Sequence, residues 1–65
     1  MDRQRLIDRK HQVQAQIRHV RGRLQNAQAA AVSRRDRREV ARLQRELERL
    51  QSEEYRLRMQ IDRTA

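Results

Sequence analysis

Ala27-Gln28-Ala29-Ala30-Ala31-Val32-Ser33-Arg34-Arg35-Asp36-Arg37-Arg38-Glu39-Val40 holds the step that decides the fold. On its N-terminal side Leu6, Val13, Ile17, Val20, Leu24, Ala27 and Ala31 recur at alternating steps of three and four, with Lys10 in the one gap. On its C-terminal side Val40, Leu43, Leu47, Leu50, Leu57 and Ile61 repeat the pattern, with Glu54 in the gap. Each series is a heptad stripe of the kind that forms helix–helix seams. Ala31 and Val40 occupy equivalent heptad positions but lie nine residues apart. In one continuous helix that offset turns the second stripe by about 180°, to the opposite side of the rod. A single long helix cannot present both stripes to one partner, so the chain is expected to fold back between them.

Ser33-Arg34-Arg35-Asp36 has the form of an N-cap with an acidic residue three positions on, which places the start of a second helix at Arg34. The predicted organisation is helix 1 over 2–30, a turn over 30–33 and helix 2 over 34–63. Asn26 is an alternative stop for helix 1. No Gly or Pro marks the turn itself.

Antiparallel pairing sets Leu6 level with Ile61, Lys10 with Leu57, Val13 with Glu54, Ile17 with Leu50, Val20 with Leu47, Leu24 with Leu43 and Ala27 with Val40. A slip of one heptad keeps the alternation but strands Leu57 and Ile61. In the favoured register Lys10 and Glu54 lie in neighbouring layers, where their charges can meet and fix alignment at some cost in stability. The flanks agree with it. Arg9, Gln16 and Arg23 on helix 1 run along the same side as Glu39, Glu46, Glu53 and Gln60 on helix 2. The opposite flank carries Ile7, Gln14, Arg21 and Gln28, with Gln44, Gln51 and Arg58, and is mostly neutral amide.

The composition fits this reading. The 65 residues contain one Gly, one Tyr and no Pro, Cys, Trp or Phe, and the net charge is +8. So few large side chains cannot build a closed core of the usual kind. Without cysteine there is no disulfide or zinc-thiolate chemistry. No apolar run reaches membrane-spanning length and Met1-Asp2-Arg3-Gln4-Arg5 does not read as a signal peptide, so a cytoplasmic location is expected. The expected fold is all-α, an antiparallel two-helix coiled-coil hairpin. A seam of this size supports an isolated hairpin poorly. Association is therefore expected, either as a four-helix bundle of two copies or by docking on a helix of another protein.

Catalysis is not expected. His11 and His19 stand eight apart, only Asp8 lies at helical spacing from His11, and no phosphate-binding loop or nucleophile motif occurs. No cofactor, metal or small-molecule substrate is predicted. Two surface features remain as candidates for partners. Ile7, Tyr55 and Met59 gather toward the open end as a candidate apolar patch. Arg35, Arg42, Arg49, Arg56 and Arg63 recur every seventh residue, with Arg34, Arg37, Arg38 and Arg45 near or beside the row. Of these, Arg34, Arg35, Arg37, Arg38, Arg42, Arg45 and Arg49 are the candidate anion-binding residues, for nucleic acid or an acidic protein surface. Because Glu39, Glu46 and Glu53 each precede one of the row's arginines by three residues, partial neutralisation and a solvated face are the expectation. Ala15, Gly22 and Ala29 form a small-residue row that reads as ordinary helix filler. The favoured function is an interaction or assembly module, with a basic nucleic-acid-binding bundle as the alternative.

Overall fold

In a computed structural model, which describes residues 2–64, the chain is two helices packed against each other as a hairpin. α1 runs Arg3–Ala29 and α2 runs Arg34–Arg63, leaving a four-residue connection. Arg, Gln, Glu and Ala fill the positions between seam residues, and all are good helix formers. The rod measures 48 × 14 × 13 Å.

Side chains close the starts of both helices, and backbone carbonyls take up the amides at their ends. At the start of α1 the Asp2 carboxylate accepts from the Gln4 amide at 3.2 Å. At its end the Ala30 amide donates to the Asn26 carbonyl at 3.2 Å, so the helix continues through Asn26 and does not stop there. Ala31 consequently lies in the turn and not in the α1 stripe. Ser33 caps α2: its backbone is extended and its Oγ accepts from the Asp36 amide at 3.2 Å. The Asp36 carboxylate reaches one residue further back than a capping box does, accepting from the Val32 amide at 3.2 Å. None of the described residues has a positive φ. The connection therefore needs no left-handed residue, which is why no glycine marks it.

Asp36 ties the turn to the helix. Hydrogen bonds from the Val32 amide and with Ser33 hold its carboxyl below the usual carboxylate range, and Arg42 does the same to Glu39. A carboxyl with a lowered folded-state pKa adds stability above its ordinary pKa, and that stability is lost as pH falls through the folded value. The melting temperature should be flat at neutral pH and decline below about pH 4. Ser33→Ala should remove about 1 kcal/mol at neutral pH. Thermal melts followed by circular dichroism across acid pH measure both. A melting temperature that rises on acidification, or an S33A variant as stable as the parent, would contradict the cap.

Of the fourteen predicted seam residues, nine are buried: Leu6, Val13, Ile17, Val20 and Leu24 from α1, and Leu43, Leu50, Leu57 and Ile61 from α2. Ala27, Val40 and Leu47 are half-buried and pack against this cluster, and Lys10 and Glu54 are half-buried as well. Burial of Leu57 and Ile61 excludes the slipped register. Two ion pairs fix the alignment independently. Arg9 Nη2 meets Glu53 Oε1 at 2.7 Å and Arg23 Nη2 meets Glu39 Oε1 at 3.7 Å. A step of fourteen forward on α1 matches a step of fourteen back on α2, as antiparallel helices at constant rise require.

Candidate docking and anion-binding surfaces

The seam divides the rod into surfaces of different chemistry. On one flank Arg9 donates through both Nε and Nη2 to Glu53, and Arg23 lies opposite Glu39. Between them Gln16, His19, Arg23, Glu46 and Arg49 border a shallow groove above Val20. This flank carries its charge in opposed pairs. On the other flank Gln28, Gln44 and Gln51 are exposed amides, Gln14 and Ile7 are half-buried, and no ion pair joins the two helices among the described residues.

Lys10 and Glu54 do not meet. The Glu54 carboxylate pairs with Arg58 Nε at 3.3 Å, one turn along the same helix. Arg58 stands on the exposed edge of the seam and reaches Glu54 without desolvating, whereas a contact with Lys10 has to form between two half-buried stems. The structure thus places both polar residues at the seam but leaves the cross-helix charge contact unmade.

The arginine row shows the expected spacing-matched ion pairs at two of its three glutamates. Arg42 binds Glu39 with both Nε, at 3.0 Å, and Nη2, at 2.6 Å. Arg49 approaches Glu46 only to 3.9 Å. Glu53, the third of these glutamates, turns across the seam to Arg9 and leaves Arg56 without a carboxylate partner among the described residues. Arg34, Arg35, Arg37, Arg38 and Arg45 likewise form no ion pair among the described residues and are all exposed. The single carboxylate in the first turn of α2, Asp36, is engaged with the Val32 amide. Residues 21–45, the stretch of the hairpin nearest the turn, carry eight arginines against two carboxylates and so hold +6 of the total +8.

Tyr55 and Met59 are exposed on α2, and Ile7 is half-buried on α1 beside the core cluster. Val32 in the turn is 91% exposed, an apolar side chain that periodicity did not single out because it belongs to neither stripe. Ala15, Gly22 and Ala29 face solvent, and a Cβ on Gly22 would meet open space. Neither His11 nor His19 belongs to a group of three or more residues able to hold a metal among the described residues, and no described helix is long and apolar enough to cross a membrane. No family model, curated protein or solved structure matches this chain.

Proposed function

We propose that the chain is a non-enzymatic assembly module, a helical hairpin whose first partner is a second copy laid against its amide-rich flank. One observation carries this reading. The hairpin exposes 5223 Å², whereas a compact monomer of 8.0 kDa exposes about 4,500 Å². Its radius of gyration is 14.8 Å, against about 11 Å for a globular chain of this length. A rod with nine buried side chains has hydrophobic surface still to gain from a neighbour.

The choice of flank follows from desolvation. Burying the Arg9–Glu53 side means stripping water from charged groups, which good pairing only partly repays. Burying Gln14, Gln28, Gln44 and Gln51 means replacing amide–water hydrogen bonds by amide–amide ones, at little net cost, while Arg21 and Arg58 on this flank are exposed and can keep their guanidiniums in water at the edge. One long face of the 48 × 14 Å rod gives a side-by-side pair a total buried area on the order of 1,300 Å², within the range of stable interfaces. Ile7 and Tyr55 lie toward this flank and supply apolar contacts near the open end.

Sedimentation equilibrium from micromolar to submillimolar concentration tests the reading. A mass of two chains is expected, with a melting temperature that rises with protein concentration. Gln14→Lys with Gln51→Lys adds like charge to the proposed interface and should return the protein to single-chain mass, while Gln12→Lys with Asn26→Lys on the other side should not. A single-chain mass at the highest concentration with a concentration-independent melt rejects self-association.

A further inference from the structure

Helix α2 presents a second surface, on the side away from the seam. Arg35, Arg38, Arg42, Arg45 and Arg49 follow one another at alternating steps of three and four, the same period as the buried leucines but on the opposite face. All five are exposed. Their mean spacing of 3.5 residues puts a guanidinium about every 5 Å along the axis. Beyond Arg49 the row continues with gaps through Arg56 to Arg63, nearly the length of the rod.

We propose that this face, from Arg34 and Arg35 at the turn to Arg49, binds the phosphodiester backbone of nucleic acid. Three observations support it beyond net charge. First, most of these arginines have no carboxylate against them: Arg34, Arg35, Arg38 and Arg45 form no ion pair among the described residues, and Asp36, the acid in the first turn of α2, is bonded to the turn. The row is compensated at two places only, at Arg42, held closely by Glu39, and at Arg49, 3.9 Å from Glu46. Exposed pairs such as Arg42–Glu39 exchange readily for a stronger anion.

Second, the face between Arg34 and Arg49 contains no exposed apolar residue. Protein interfaces are organised around an apolar or aromatic centre and are depleted in charge there, so an acidic protein surface finds no anchor. Third, the cations are guanidiniums in a regular row on a rigid helix. A planar fork suits phosphate oxygens, and a straight, evenly spaced row suits a polymer whose charge repeats evenly. The binding is to backbone and shape: with Tyr55 the one aromatic side chain and lying outside this stretch, no base-stacking platform exists. The surface lies away from the amide flank, so the proposal does not depend on self-association.

Fluorescence anisotropy with the full chain tests it, using an RNA duplex, a DNA duplex of equal length and polyglutamate across a salt series. About four phosphate contacts predict a loss of affinity on the order of 100-fold between 50 and 200 mM salt. Arg34, Arg35, Arg38 and Arg45 changed together to Gln should remove nearly all of that salt-dependent binding. Changing Arg3, Arg5, Arg18 and Arg21 on α1 to Gln lowers the net charge by the same four units and should preserve most of it. None of these eight arginines forms an ion pair among the described residues, and Gln is a good helix former, so both variants should keep the parent's circular dichroism. The same four positions changed to Lys should retain the salt slope at reduced affinity. Comparing the two duplexes identifies which nucleic acid is preferred. Equal losses in the two Gln variants, or polyglutamate bound as tightly as either duplex, would overturn the proposal.

Discussion

Leu50→Asp should leave the chain largely unfolded at room temperature. Leu50 is 1% exposed and lies mid-rod, level with Ile17 in the observed register. A carboxylate there has no cation within the seam to meet it, since the nearest polar seam residue on α1 is Lys10, two turns from Ile17. Burying an unpaired charge costs several kcal/mol even after relaxation. A chain of this length has a total stability of about 3–10 kcal/mol. The two quantities are comparable, so the substitution removes most or all of the folded population. It also divides the seam, leaving short apolar runs on either side that cannot hold helices marginal in isolation. Far-UV circular dichroism gives the readout: a large loss of helicity and no cooperative melt. Ser52→Asp places the same charge two residues along, at an exposed position on the outer face, and should change stability by no more than about 0.5 kcal/mol. If the Leu50 variant melts like the Ser52 variant, the seam described for α2 is not the one that holds the molecule together.

That contrast shows which parts of the structure periodicity encodes. Hydrophobic side chains at alternating three- and four-residue steps can reach only one stripe of a helix, so the identity of the nine buried residues follows directly from their spacing. The nine-residue step from Ala31 to Val40 fixes the reversal for the same reason, and Ser33 fixes where α2 begins because its hydroxyl completes an amide that no helix bond can reach. The pairing of Arg9 with Glu53 and Arg23 with Glu39 is legible too, since it follows from register.

Contacts made by exposed long side chains are coded differently. Glu53 has Arg56 three residues ahead and Arg9 across the seam, and it takes Arg9. Glu54 has Lys10 across and Arg58 one turn on, and it takes Arg58. One crosses and the other does not, although their spacings offer both the same choice. What separates the options is side-chain reach and local water access, energies too small to leave a mark on residue spacing. The consequence reaches the arginine row. Where each glutamate turns decides how far the arginine row is neutralised: Glu39–Arg42 and Glu46–Arg49 form as their spacing suggests, whereas Glu53 turns away and leaves Arg56 unpaired among the described residues.

Glu54 also offers the largest expected gain. Glu54→Leu should raise the melting temperature, because position 54 already belongs to the seam stripe and is level with Val13, which is fully buried. The Glu54 side chain is only 20% exposed, so the site holds a mostly desolvated side chain whose charge is met by Arg58 alone. Leucine at a largely covered position contributes about 1.5 kcal/mol of apolar burial. Losing an i,i+4 pair at 3.3 Å removes about 0.3–0.5 kcal/mol. The balance is a gain of about 1 kcal/mol, or roughly 4–8 °C for a domain of this size. Glu54→Gln isolates the second contribution, since it keeps the shape, loses the charge and should be slightly less stable than the parent. A polar residue in a seam commonly restricts alignment and oligomeric state, and leucine at 54 relaxes that restriction by making the α2 stripe apolar from Val40 to Ile61. The more stable variant should accordingly show a broader mass distribution in sedimentation. Destabilisation by Glu54→Leu would mean that the carboxylate holds the two helices together by a contact that the Arg58 pair does not represent, and the seam assignment at that layer would have to change.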